Sequence, residues 1–447
     1  MQQKQLTYIT LLLIHLGLGF FLFLFPFLSK LFGLVIIGIG VLVIIKNKNQ
    51  NNEALYASAY MIGVEVLLRM TDGVFLNEQG KYGVISFLFL GMLYRGFSKY
   101  AFVYWIFLLL LIPGVVLSTT ELSLEADIKK AIFFNITGPV CLGVASIYCY
   151  RRRITFEQLN NIVIAMALPI VSILTYLFLY TPSIEESVTG TSSNFETSGG
   201  FGPNQMSTIL GLGTFLFFAL LLLNSKSKKI ILIHTFLLCL VAFRGVVTFS
   251  RGGVYTGLVM VIILLLMVYK FAKSGTKVKL VFIAIGALLL GLGVWAYSSV
   301  QTSGLIDRRY ANEDARGRQK ESELSGRETL IATELQMFVE NPILGIGVGR
   351  NKEYRKELTG IEAASHNELS RMLAEHGSLG ILGLLILILT PLFLSLDNKQ
   401  NLYLFSFFAF WLLTINHAAM RIAAPAFVYA LSLLKVVSIE KPPLHRE

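Results

Sequence analysis

Tyr8-Ile-Thr-Leu-Leu-Leu-Ile-His-Leu-Gly-Leu-Gly-Phe-Phe-Leu-Phe-Leu-Phe-Pro-Phe27 runs for 20 residues without a charged side chain. As a helix it reaches about 30 Å, the thickness of a bilayer's hydrocarbon core. Hydrocarbon offers backbone N–H and C=O groups no partner, so a segment that enters it satisfies them internally, as a helix. No small-residue cleavage site follows Phe27, so we expect this stretch to stay as a first span and not to leave as a signal peptide.

The same pattern recurs outward along the chain. Further apolar runs are Leu31–Ile45, Ala54–Met70, Gly83–Tyr94, Ala101–Ser118, Ala131–Tyr150, Ile162–Thr181, Met206–Leu223, Ile230–Phe249, Val254–Val268, Leu280–Ser299, Leu379–Leu396, Leu402–Ile415 and Ala423–Val437. Several fall short of the roughly 20 residues that one crossing takes, so the expectation is an all-α polytopic membrane protein with about 12–14 transmembrane helices. Composition agrees: 55% of residues are hydrophobic, 15% are charged and the mean hydropathy is +0.67, far from a soluble domain. Cys141, Cys149 and Cys239 lie in apolar runs without metal-ligand or disulfide-framework spacing, and read as packing residues.

The formal charge of +11 does not call for nucleic acid, because topology-fixing lysines and arginines produce the same excess. With a cytoplasmic N-terminus and one crossing per run, every second connection is basic: Lys46 and Lys48, Arg95 and Lys99, Arg151–Arg153, Lys226–Lys229, and Lys270–Lys279. The alternation sends Glu121–Lys130, Pro182–Pro203 and the long Val300–Gly377 segment outward, and an even count returns Lys441–Glu447 to the cytoplasm. Residues 1–299 then form an N-terminal transmembrane bundle, 300–377 an outer segment, and 378–447 the last helices and a short tail. Pro182–Pro203, rich in Ser, Thr and Gly, reads as a mobile surface loop or as a lid that touches substrate.

Charges inside apolar runs are costly and therefore informative. Glu65 and Arg69, four apart, share a helix face and read as an ion pair or as part of a polar cavity. Arg244 and Arg251 are two turns apart and share a face if the helix continues through them; two guanidiniums without a carboxylate suit phosphate oxygens, against the alternative of arginines snorkelling to the interface. Gly252 and Gly253 leave room for a ligand or a neighbouring backbone. The 300–377 segment holds 11 Lys+Arg against 13 Asp+Glu, so it is not generally basic, and an anion site there has to be built from particular arginines. Asp307–Ser325 has little apolar content and reads as irregular or mobile, Arg327 opens a helix that ends at Asn341-Pro342, and Gly345-Ile-Gly-Val-Gly349, without a strand before it, is poor support for a nucleotide site. Ser365-His-Asn-Glu368 has the form of a capping box, with Ser365 as N-cap and His366 at the first helical position. There the helix dipole disfavours imidazolium, which suits a general base; a structural histidine is the other reading.

Ser250-Arg-Gly-Gly253, Gly326-Arg327, Asn341-Pro-Ile-Leu-Gly-Ile-Gly-Val-Gly349, Ser365-His-Asn-Glu-Leu369 and Glu375-His-Gly-Ser-Leu-Gly380 together resemble the O-antigen ligase/polymerase family. The resemblance covers roughly Arg244 to Leu384. It implies glycan transfer from an undecaprenyl-diphosphate carrier on the periplasmic side of the bacterial inner membrane, without metal, cofactor or nucleotide sugar. Carried over by motif, Arg251 and Arg327 hold the diphosphate and His366 is the catalytic base, although Arg327 is followed by Glu328-Thr-Leu where the family commonly has an aromatic. Arg244 could add to the diphosphate site, and Ser365, Asn367 and Glu368 support the base. Implied partners are the carrier-linked glycan and, as acceptor, lipid A-core; a second carrier-linked glycan, as in a polymerase, or a protein hydroxyl are alternatives. From a different class, a secondary transporter or flippase would place its charges near the bilayer midplane.

Overall fold

A computed structural model describes residues 2–123, 127–320, 322, 327–417 and 420–437, residues 2–6 by backbone alone. Gly326 and the Lys441–Glu447 tail lie outside the described residues. The first seven long helices are α1 (Gln2–Leu24), α2 (Ser29–Asn47), α3 (Glu53–Met70), α4 (Gln79–Arg95), α5 (Phe102–Glu121), α6 (Ile128–Cys149) and, after a short strand β1 (Arg153–Thr155), α7 (Phe156–Tyr180). A one-turn α8 (Ile184–Ser187) precedes α9 (Pro203–Leu223), α10 (Lys228–Val246), α11 (Arg251–Phe271) and α12 (Ser274–Gln301). Residues 300–377 supply α13 (Leu305–Tyr310), α14 (Arg327–Glu340) and α15 (Asn351–Thr359). The chain then returns through α16 (Glu368–Ser395), α17 (Leu404–Thr414), α18 (Ala424–Leu431) and β2 (Lys435–Val437).

The protein is an all-α polytopic membrane protein. Among the described residues, ten helices are long and apolar enough to cross a bilayer. Every apolar run of the sequence contains a helix, but they differ in what they face. The helix α3 carries Glu53, Glu65 and Arg69 and is buried against α4 and α7, whereas α12 shows lipid-sized side chains such as Phe282 and Leu288 to the outside. An apolar belt of that extent is stable against lipid and not against water. The last run divides: α18 takes its first part, and Lys435–Val437 pairs in parallel with Arg153–Thr155.

Two ends of the bundle can be told apart by their connections. At one, Arg152 donates to the Asn52 side chain and the Gly96 carbonyl, Arg151 lies 3.6 Å from Asp397, and β1 meets β2. The basic connections at 46–52, 95–99 and 150–155 thus meet at this end. At the other, the 300–377 segment docks on its neighbours: Arg350 pairs with Glu121 at 2.6 Å, Thr191 donates to the Glu313 carbonyl, and Arg309 donates to the Phe249 carbonyl.

Glycines set the tightest contacts of this packing. A Cβ on Gly253 would stand 2.0 Å from the Ser207 carbonyl oxygen, so α9 and α11 meet backbone to backbone. Gly345, Gly347 and Gly349 all have positive φ (71°, 91° and 84°) and press against α16, α5 and α6, so the glycine-rich stretch is a packing turn.

Candidate active site

The joint between α10 and α11 positions the first arginine. The helix stops at Val246, Phe249 takes a left-handed φ of 57°, and α11 starts at Arg251. Ser250 Oγ donates to Asn204 Oδ1 at 2.8 Å, and its carbonyl accepts from Ser207 Oγ at 2.6 Å, which fastens the joint to α9. From there Arg251 enters a cavity of about 490 Å³, also lined by Arg309 of α13, Arg327 at the start of α14, Asn204, Tyr255 and His417. No carboxylate stands among its described lining residues. Burial first, and then the charge of Arg251, hold the Arg309 and Arg327 guanidiniums below the ordinary arginine range, as expected where like charges converge. Three arginines from three helices on one wall favour an anionic ligand.

His366 is not among the residues that line this cavity, but the charge of Arg327, which is, acts on it. Asn367, immediately after it, donates to Asn416 Oδ1 at 3.3 Å, and Glu368 N donates to the Ile415 carbonyl at 2.8 Å, so the segment is docked on the connection that carries His417. His366 is exposed, which leaves its ring open to a ligand. Partial desolvation, then the charges of Arg327, Arg421 and Arg355, hold its pKa below the ordinary histidine value. A neutral imidazole at this place can accept a proton.

The cap differs from the sequence expectation. Asn367, not Ser365, caps α16, its Oδ1 accepting from Leu369 N at 2.8 Å and Ser370 N at 3.3 Å, and the helix begins at Glu368. His366 therefore precedes the cap instead of opening the helix. Ser365 donates to the Asn367 carbonyl, and Glu368 does not close a capping box but pairs with Arg371, which also pairs with Glu375.

Arg244 is likewise placed elsewhere. The break at 247–249 ends the continuous face that would have brought it beside Arg251. It is fully buried, donates to the carbonyls of Leu177, Thr181 and Thr197, and lies 5.1 Å from the Phe178 ring centroid. It joins α10 to the end of α7 and to the 182–202 connection. That connection packs instead of standing free: Thr197 and Ser198 are buried, and Ser193 reaches the cavity wall. The Asp307–Ser325 stretch is also ordered where it is described, with Arg309 in α13 and Asn312 and Gln319 in the cavity wall.

Three residues escaped the sequence reading. Arg309 was one arginine among many in the outer segment. His417 and Arg421 sit in the short connection between two apolar runs, and their polarity inside such surroundings was the available signal. His417 Nδ1 donates to the Leu413 carbonyl at 3.1 Å, Nε2 lies 3.4 Å from Thr208 Oγ1, and the ring packs flat against Gly252.

Fold and site together define a multi-pass helical membrane protein with a cationic cavity and a neutral imidazole at one end of its bundle. Residues 234–388 match the family model for O-antigen ligase. The matched stretch holds Arg251, Arg309, Arg327 and His366, and coincides with the region in which the sequence motifs resemble that family. No curated protein matches the chain. The match supports an enzyme of O-antigen ligase/polymerase type that acts on lipid-linked glycans at a membrane.

Proposed function

We propose that the protein transfers a glycan from undecaprenyl diphosphate to an acceptor hydroxyl, lipid A-core being the first choice of acceptor, on the periplasmic face of a bacterial inner membrane. The observation that carries this reading is the convergence of Arg251, Arg309 and Arg327, from three different helices, on one cavity. Guanidinium forks match phosphate oxygens, and a diphosphate leaving group gains negative charge as the bond to the anomeric carbon breaks. His366 takes the proton of the attacking hydroxyl, the new glycosidic bond forms on the opposite face of the sugar, and the configuration inverts. The gathering of basic connections at the opposite end of the bundle supports a cytoplasmic location for that end, and hence a periplasmic cavity.

The test is reconstitution in liposomes with carrier-linked glycan, with and without lipid A-core, the products being resolved by size. One transfer that depends on the acceptor supports ligation, and a ladder from donor alone supports polymerisation. His366→Ala is expected to insert normally and to abolish transfer; appreciable transfer by well-folded H366A refutes the base assignment.

A further inference from the structure

A line of polar contacts runs from the C-terminal third of α3 to the residue before His366. Glu65, almost fully buried, accepts from Arg69 Nη2 at 3.0 Å through one carboxylate oxygen and from Ala423 N at 2.8 Å through the other. The same Arg69 nitrogen donates to the Arg421 carbonyl at 3.3 Å. The backbone is thus pinned on both sides of Ile422. A Cβ on Gly80 would fall 2.3 Å from the Glu65 carboxylate carbon, so α4 closes tightly over the pair. The Arg421 side chain then leaves this anchored backbone. It stacks on Phe134 of α6, 3.9 Å from the ring centroid, and Nη2 donates to the Ser365 carbonyl at 2.7 Å.

We propose that Arg421 is a positioning residue for His366, tied to the Glu65–Arg69 pair of α3. The inference rests on the reading of His366 as base. On its C-terminal side His366 is followed by Asn367, which is fixed by the α16 cap and by Asn416; on its N-terminal side Ser365 is held by Arg421. With both neighbours fixed, the backbone that carries the imidazole is held from both sides. Arg421 also brings a positive charge. The charged groups that act on His366 are Arg327 from α14, Arg355 from α15 and Arg421. At the start of α16, Glu368 is engaged by Arg371. All three cations oppose protonation of the base.

Arg421→Gln and Arg421→Lys separate tether from charge. In the liposome assay R421Q is expected to lose about ten-fold or more in kcat, as loss of orientation does, with donor KM changed less than about two-fold because the cavity arginines stand. The acid limb of its pH profile moves to higher pH, since one cation that disfavours imidazolium is gone. R421K keeps the limb in place and recovers most of kcat. Diethyl pyrocarbonate modification of His366, followed by mass spectrometry against pH without substrate, is expected to show the same displacement. Wild-type kcat and an unmoved limb in R421Q overturn the proposal, as does equal impairment of both variants with unchanged His366 reactivity. Should R421Q fail to insert, Glu65→Gln is expected to lower kcat at unchanged donor KM, and wild-type kcat there overturns it. If H366A remains active, it is the base assignment that fails; the modification arm then still reports whether Arg421 acts on His366.

Discussion

Gly252→Ala is the smallest change that reaches the site. A methyl group at Gly252 would stand 2.4 Å from both Cγ and Cδ2 of His417 and 2.8 Å from Nδ1. Carbon contacts are comfortable only from about 3.5 Å outward, so either the ring or the start of α11 has to move by about 1 Å. The ring is not at the loose end of a flexible chain: His417 is buried and its imidazole is held by Leu413 and Thr208. If α11 yields instead, Arg251, the residue before Gly252, moves with it. Overpacking of this kind costs about 1–3 kcal/mol, and a displacement of about 1 Å at a reacting centre costs on the order of 10²-fold in rate. The expected outcome is a modest fall in melting temperature by scanning fluorescence, with a loss of transfer far greater than the unfolded fraction explains. Gly286→Ala is the control, because a Cβ there meets nothing within 4 Å, and alanine in a helix interior is favoured by up to about 1 kcal/mol. G252A with wild-type turnover would refute the placement of His417 and Arg251 in one working site.

The two kinds of arginine are expected to respond in opposite ways. Arg244→Gln, which weakens a buried set of carbonyl contacts, lowers melting temperature while the folded fraction binds donor normally; Arg251→Gln or Arg327→Gln, in the cavity wall, weakens donor binding far more than it changes melting temperature. Equal losses of donor affinity in R244Q and R251Q would contradict this division. The pH profile gives a further check. The working form of His366 is neutral and its pKa in the free protein is lowered, so kcat/KM is complete above that lowered value and is lost only as pH falls through it; the acid midpoint of kcat/KM belongs below the ordinary 6.5, and a midpoint above 6.5 would contradict the electrostatics.

Much of this architecture was legible because lipid imposes one composition on every helix that faces it, and charges that interrupt that composition stand out. Arg251, Arg327 and His366 stand out in this way and by their motifs, and the structure brings the first two to one cavity. The mistaken pairing of Arg244 with Arg251 has a local cause: Val247-Thr248-Phe249 contains no proline or glycine, yet Phe249 takes a left-handed φ there, and the cost of that geometry is met by contacts distant in sequence, such as Arg309 on its carbonyl. The cap was ambiguous because Ser365 and Asn367 are both competent, and the choice depends on Arg421, 56 residues away, occupying the Ser365 carbonyl.

The connection at 415–423 was hidden by a different assumption, that each apolar run crosses once. With 11 residues α17 rises only about 16 Å, and with 8 residues α18 returns about 12 Å, each near half of a hydrocarbon core. Both begin or end beside the β1–β2 end of the bundle, where Asn398 and Asn401 hold the Leu434 carbonyl. Their joining turn therefore lies about midway through the bundle and not beyond its far surface. Backbone at that depth needs internal partners. It finds them in Glu368 N on the Ile415 carbonyl, in the Glu65 carboxylate on Ala423 N, and in Arg69 on the Arg421 carbonyl. The same contacts that make a turn tolerable there carry His417 to the cavity wall and Arg421 to the Ser365 carbonyl, so the requirement for backbone satisfaction in a membrane and the placement of these two residues have one structural solution.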